Sequence, residues 1–315
     1  MADPGTALAQ ARVVPQPRLI RPNATYAISR RTQDRRFLLR PDPIFNAFFV
    51  WLFAVTAAQC RIEVHVATVM SSHFHLVVTA PYENVSRFMQ LFDCRMANAL
   101  KVLRRLPRGV VWAPGELSII ELETTTAVVE QIAYAIVNPV KAGLVFASSD
   151  WPGVTATVAQ LGNLVLTAVR PAFYFLAATW PAIASVRFTL PARLLELDED
   201  WARAWLEAEV ARQEAEARAE VKAKGWRVPG PIAVQRVSPY KRARSWEDFG
   251  KRSPHIAAGR GETAARKAAI ARLRKFRADY REAMDRWVGG DREVLFPSGT
   301  YWMRVHHGAA VAPFD

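Results

Sequence analysis

Residues 61–70, RIEVHVATVM, alternate along the chain, with Ile62, Val64, Val66 and Thr68 on one side and Glu63, His65, Ala67 and Val69 on the other. Two turn-prone residues, Ser71 and Ser72, follow, and residues 73–79, HFHLVVT, then read as a second strand. The spacing predicts an antiparallel hairpin. An isolated hairpin is marginal in water, so this one needs further strands beside it and a layer of helices against it.

The flanking segments supply both. Ala24–Thr32 reads as a strand, and Pro43–Cys60 as a helix of 18 uncharged residues. After the hairpin, residues 84–105 form a helix with Phe88, Leu91, Phe92, Arg95, Ala99 and Leu103 in one stripe, ended by Pro107, Gly109, Pro114 and Gly115. Residues 117–123 are a fourth strand, and residues 126–137 a helix stopped by Asn138, Pro139 and Gly143. The order predicts an α+β fold: a ferredoxin-like split βαβ plan, with a four-stranded antiparallel sheet, helices on one face and one added C-terminal helix. Such a plan hosts many functions, so function has to come from the residues placed on it. The run 43–60 has the minimum length of a membrane span, but it contains Pro43, Asn46 and Gln59 and leads straight into a strand. A buried helix, with no membrane partner, is the better expectation.

From about residue 150 the pattern changes. A Trp-, Pro- and Ala-rich stretch runs to Pro191, and its uncharged part, 154–169, reads as core. Residues 198–224 form a charged helix whose Trp201, Trp205 and Val210 predict a docked edge. Residues 236–286 carry 15 Lys or Arg against 6 Asp or Glu, and Ile270, Leu273, Phe276, Tyr280, Met284 and Trp287 recur there at helical spacing. Two domains are expected, 1–155 and a mostly helical basic region, 156–315. The whole chain has 42 Lys and Arg against 29 Asp and Glu, a formal charge of +13. That surplus favours an anionic partner, nucleic acid first. Cys60 and Cys94 are too few for a disulfide framework and read as small core residues of a protein kept in a reducing compartment. The first twenty residues lack the apolar run of a secretory signal, so a cytoplasmic, nucleoid-associated location is expected.

His73 and His75 stand at i and i+2 on a strand, so both imidazoles project to one side and could reach one divalent cation. The same pair could instead be a half-buried polar face, and two ligands need a third. In QIAYAIVNPVKAGLV, Tyr134 and Asn138 are four apart and share a helical face. They could serve the same site, or Tyr134 could fill the helix–sheet interface while Asn138 caps the helix before Pro139.

Taken together, VMSSHFHLVVTAP (69–81) and YAIVNPVKAGLV (134–145) resemble the single-tyrosine HUH transposases. The nearer branch is the REP-associated tyrosine transposases in their long form, similar to the transposases of insertion sequence 200. WAPGELSIIELE (112–123) and DWPG (150–153) are similar to further segments of that family, and the likeness covers roughly residues 15–155. Ser72 stands where many members have Asn, and the loop 107–112 is compact. The tail FPSGTYWMRVHHG (296–308) is similar to the ending of long members and implies no role.

The resemblance implies a metal-dependent endonuclease and strand transferase acting on single-stranded or hairpin DNA. His73 and His75 would bind Mg²⁺ or Mn²⁺, Asn138 would match a further ligand position, and Tyr134 would be the nucleophile. Two imidazoles and an amide would also tolerate Zn²⁺. A homodimer in which Tyr134 serves the partner copy stays open. So do a noncatalytic nucleic-acid-binding or regulatory protein on the same fold and a metal-dependent hydrolase with no covalent step.

Two basic clusters are candidates for DNA contact. Arg30, Arg31, Arg35 and Arg36 follow the first strand, and Lys241, Arg242, Arg244, Trp246, Lys251 and Arg252 interleave cations with aromatic rings. The second cluster could equally be a solvated basic loop anchored by its aromatics. His255, His306 and His307 have no ligand-like company, and adjacent histidines on a strand would point apart.

Overall fold

The two serines between residues 69 and 73 close the hairpin, and the turn is pinned by two bonds from elsewhere: Thr32 N–H to the Ser72 carbonyl at 2.9 Å and Leu39 N–H to the Ser71 carbonyl at 3.0 Å. The computed structural model describes residues 16–106, 109–243 and 254–314, without the Glu116 side chain. In chain order the elements are β1 (Ala24–Thr32), α1 (Pro43–Cys60), β2 (Glu63–Val69), β3 (His73–Ala80), α2 (Val85–Leu103), β4 (Trp112–Leu122), α3 (Thr125–Lys141), β5 (Val165–Val169) and β6 (Ile183–Arg187). They continue with α4 (Ala192–Leu195), α5 (Glu199–Ala223), α6 (Gly230–Arg236), β7 (Ile256–Ala257), α7 (Thr263–Val288) and α8 (Trp302–His307).

The main sheet runs β2-β3-β1-β4-β7. Each of its first four strands is antiparallel to its neighbour, in the split βαβ order, with Ile28 opposite Leu76 on β3 and Ile119 on β4. A fifth strand corrects the expected four: β7 pairs with β4 in parallel, Glu121 opposite Ile256. Opposite residues in an antiparallel pair share a face, which sorts the side chains. Phe74 faces α1 and α2, lying 6.2 Å from Phe49 and 5.7 Å from Phe92 between ring centroids. His73 and His75 face the other way, onto α3.

Strict alternation fails in β2. The register shifts between Val64 and Val66, so Val64 stands opposite Val78 while Val66 stands opposite Val77, and the two valines point to opposite faces. His65 sits at this bulge, fully buried, with Nε2 2.8 Å from Thr79 Oγ1 and Nδ1 3.0 Å from the Thr189 carbonyl. Burial holds its pKa down at about 4.

The lack of any charged residue in α1 is explained by what lies on its outer side. The Trp-, Pro- and Ala-rich stretch, which opens the region expected to be mostly helical, contains the ribbon of β5 and β6, and this covers α1 from the side away from the sheet. Phe48 meets Phe173 at 5.5 Å, Trp51 meets Phe175 at 5.1 Å, and Trp51 Nε1–H donates to the Pro181 carbonyl at 3.1 Å. A helix buried on both sides needs no polar face. α1 is long and apolar enough to cross a membrane, yet most of it is buried in this fold. Asp42 caps its start, accepting from Phe45 N–H at 3.0 Å.

Ile20–Ala271 form one compact unit and the chain from Arg272 belongs to a second. The expected boundary between 155 and 156 falls inside the first. There α5 docks on α3: Ala217 packs with Val137, Val140, Val145, Trp151 and Val234, and Val210 lies against them. Trp201 does not join this edge and is 55% exposed. Of the two cysteines Cys60 is buried and Cys94 exposed. In the second unit Ala283, Val294, Phe296, Met303 and Ala309 form a small core, flanked by Tyr280, Met284 and Trp287. His306 and His307 lie on α8, a helix rather than a strand, with the His306 ring 3.8 Å from Trp302.

Candidate active site on the open face of the sheet

Period-two geometry on β3 turns His73 and His75 to the same side, and their ring centroids are 4.9 Å apart. Neighbouring strands set the frame: Arg31 stands opposite His73, and Ser29 and Thr68 stand opposite His75. α3 crosses this face. Thr124 caps it, accepting from Ala127 N–H at 3.2 Å, and Thr124 and Thr126 hold Glu262 against the same end, where a carboxylate complements the helix dipole.

Here α3 departs from the expected stop at Asn138. The helix continues through Asn138 and Pro139 to Lys141 and closes at Gly143. Asn138 is therefore no cap. It is buried inside the helix, and its side chain hydrogen-bonds to His73. One turn earlier, Tyr134 meets His75 edge to face, with ring centroids 5.3 Å apart and planes at 90°. The four residues singled out by motif thus converge from two elements.

His73 is held neutral. Burial lowers its pKa to about 3, the nearby charges of Arg31 and Arg35 push the same way, and the bond to Asn138 opposes them. Ser72 Oγ lies 3.2 Å from His73 Nδ1 and orients the ring. Among the described residues no three His, Cys, Asp or Glu side chains cluster as a metal site. The donor set on offer is two imidazoles and one amide, which fits a divalent cation with coordination positions left for water or substrate oxygens.

Beside Tyr134 a groove of about 250 Å³ runs over Ala27, Ser29, Val77, Ser118 and Ile120, with Gln131 of α3 on its wall. It is the part of the sheet face that α3 leaves uncovered. Tyr134 also borders a second recess toward α5, and Lys141 Nζ lies 4.8 Å from the centre of its ring. Lys141 is seven positions after Tyr134 on the same helical face, so its placement was readable from spacing, but no motif drew attention to it.

The two basic clusters become one. Arg36 bridges to Arg242, Phe37 N–H donates to the Lys241 carbonyl at 2.9 Å, and Ala243 N–H donates to the Arg35 carbonyl at 3.1 Å. Asp34 accepts from both Arg36, at 3.4 Å, and Arg242, at 3.1 Å. Arg31, Arg35, Arg36, Lys241 and Arg242 thus gather at the His73 end of the sheet. Arg30 does not belong with them. It stands opposite Phe74, on the helix-covered face, where its Nε lies 2.9 Å from Asp93 and its guanidinium 5.4 Å from the Trp112 ring centre. One step of strand separates a packed arginine from one at the site. Arg244, Trp246, Lys251 and Arg252 lie outside the described residues.

The DWPG segment supports β2 from below. Trp151 Nε1–H donates to the Val69 carbonyl at 3.0 Å, and Val69 N–H donates to the Val154 carbonyl at 2.9 Å. Gly153 is obligatory there, since a Cβ would fall 2.5 Å from Trp151 Nε1 and 2.8 Å from the Val69 carbonyl oxygen.

No family model matches this chain. No curated protein matches it either. Among solved structures, the chain is similar to a REP-associated tyrosine transposase bound to a REP hairpin, at 18% identity over 45% of this chain and 82% of the other, with a TM-score of 0.39.

Proposed function

We propose that this chain is a metal-dependent single-stranded DNA endonuclease and strand transferase, a transposase, that works through a covalent 5′-phosphotyrosine on hairpin-forming DNA. The observation that carries the reading is the convergence of Tyr134 and Asn138, from α3, on His73 and His75, from β3.

The first residues to act are the cations. Arg31, Arg35, Arg36, Lys241 and Arg242 would grip phosphates at the His73 end of the sheet, positioning the strand without reading its bases. The groove over Ser29, Ser118 and Ile120 is open to the strand beside Tyr134. A divalent cation, Mg²⁺ or Mn²⁺, held by His73, His75 and Asn138 would supply Lewis-acid polarisation of the scissile phosphate. The Tyr134 oxygen then forms a bond to phosphorus as the bond from phosphorus to the 3′ oxygen breaks. The phenol gives up its proton, the 3′ oxygen takes one and leaves as a hydroxyl, and the 5′ phosphate stays on the enzyme. Because the phosphodiester count is unchanged, an incoming 3′ hydroxyl can reverse the step without ATP. Lys141, with Nζ 4.8 Å from the centre of the Tyr134 ring, would favour the negative charge that develops as the phenol loses its proton. Such a protein would act in the cytoplasm, on nucleoid DNA.

The test is cleavage of an end-labelled hairpin with a single-stranded flank, comparing wild type, Tyr134→Phe and His75→Ala in Mg²⁺ and in EDTA. Wild type should cut only with metal, and neither variant should cut. Cutting by Tyr134→Phe would remove the covalent step. Salt-dependent binding with no cutting on any hairpin would leave a noncatalytic binder.

A further inference from the structure

The C-terminal ends of α3 and α5 meet, and both close in the same way. In α3 the Gly143 N–H donates to the Val140 carbonyl at 2.8 Å and the Leu144 N–H to the Pro139 carbonyl at 3.0 Å, with Gly143 at φ +65°. In α5 the Gly225 N–H donates to the Lys222 carbonyl at 3.0 Å and the Trp226 N–H to the Val221 carbonyl at 3.1 Å, with Gly225 at φ +63°. This double closure turns the residue after the glycine back onto the last helical turn. In α5 that residue is Trp226, and its ring rests against Gly143, where a Cβ would stand 3.1 Å from Trp226 Cε3.

Beside the ring opens a cavity of about 480 Å³, with Val140, Val145, Val221 and Val228 as walls and Phe146 and Trp226 at its border. Both aromatic rings reach solvent, Phe146 being 66% and Trp226 43% exposed. The rim is cationic. Arg218, Lys222 and Arg227 line the cavity, and Lys224 Nζ lies 4.6 Å from the centre of the Trp226 ring. Arg218 and Lys224 are engaged by Glu214 and Glu220. Among the described residues no ion pair engages Lys222 or Arg227. Glu214 also accepts from the Ser148 N–H at 2.7 Å, and Arg218 donates to the Phe146 carbonyl at 3.3 Å, so the loop that carries Phe146 is fastened to α5.

An apolar slot edged by exposed rings and rimmed by cations suits one chemistry above others. An unpaired base can stack on an aromatic ring while the phosphates on either side meet the rim. A duplex keeps its base faces stacked inside, and an apolar peptide would offer no counter-charge to Lys222 and Arg227. We propose that this slot binds an unpaired base of a single-stranded nucleic acid, at a site separate from the Tyr134 groove. The proposal extends the reading of the chain as a DNA enzyme, but it does not depend on any chemistry at Tyr134.

The test is fluorescence anisotropy of labelled oligothymidylate and of a blunt two-strand duplex, with full-length wild type, Trp226→Ala, Trp226→Phe and the double variant Lys222→Glu/Arg227→Glu. Loss of one stacked base should weaken oligothymidylate binding by roughly tenfold in Trp226→Ala, and Trp226→Phe should restore most of it. The charge-reversal variant should bind weakly and lose part of the salt dependence. Blunt-duplex binding should change little. If Trp226→Ala does not fold, the surface variant Lys222→Glu/Arg227→Glu decides alone. Unchanged oligothymidylate affinity in that variant overturns the proposal. So does a switch in sedimentation from dimer to monomer on altering the slot, since the occupant would then be a second copy of the chain. Failure here leaves hairpin cleavage by wild type untouched, and failure of cleavage leaves this binding difference intact.

Discussion

The Tyr134 phenol stands edge-on to the His75 imidazole, 5.3 Å between centroids, although 59 positions separate the two residues in the chain. β3 presents the imidazole and α3 presents the phenol, so the pairing exists only because the helix lies on the sheet face away from α1 and α2. If the site is built for phosphate chemistry, changes on that face should alter activity while changes on the opposite face alter stability.

Arg30 and Arg31 test this by their one-residue offset. Arg30→Ala breaks a largely buried pair with Asp93 and should cost about 3 kcal/mol in urea unfolding, with DNA affinity unchanged per folded molecule. Arg31→Ala should leave the unfolding midpoint near wild type. It should weaken hairpin binding at all sequences and lower the slope of affinity against salt by about one.

Asn138→Ala removes the amide that joins His73 and should raise the Mn²⁺ dissociation constant by roughly tenfold or more, read by calorimetry or electron paramagnetic resonance. The variant should keep its far-ultraviolet circular dichroism, because Asn138 carries no capping role. Equal Mn²⁺ affinity in wild type and variant would place the third ligand elsewhere.

Gly153→Ala forces a methyl group into the Trp151–Val69 contact and should destabilise the protein by about 2 kcal/mol, seen as a lower Tm. The neighbouring Pro152→Ala should have a much smaller effect. A Gly153→Ala protein with wild-type Tm would mean that the DWPG turn can relax without cost.

His65 makes stability depend on pH. Its folded pKa, about 4, lies below the ordinary imidazole value of 6.5, so the unfolded chain binds the proton more readily. The stabilisation is complete above pH 6.5 and is lost as pH falls toward 4, a loss of roughly 3 kcal/mol from this residue. His73 is shifted in the same direction, so the informative comparison is wild type with His65→Gln in urea unfolding at pH 7 and pH 5. The variant should show a shallower dependence.

Much of the first half was legible because its signals are local. Alternation fixed the β3 hairpin, and Tyr134 with Asn138 at helical spacing fixed which side chains share a face. The errors came from partners distant in sequence. The bulge at His65 depends on Thr79 and on Thr189, and no pattern inside β2 announces it. β5 and β6 were missed because their strands carry alternately exposed residues around a Pro- and Trp-rich loop, and their purpose lies in covering α1. The separation of Arg30 from Arg31 followed from strand period alone and could have been drawn from the sequence. Of the expected stops Asn138, Pro139 and Gly143, α3 runs through the first two and closes at the third.

The account rests on one bond, between the Tyr134 oxygen and a phosphorus atom. Wild-type protein incubated with a hairpin substrate and Mn²⁺, then denatured, digested and sequenced by tandem mass spectrometry, reports that bond directly. The predicted result is a nucleotide fragment joined through its 5′ phosphate to the peptide containing Tyr134, abolished by EDTA and by Tyr134→Phe. Cleaved DNA with no adduct, or an adduct on another residue, would contradict it.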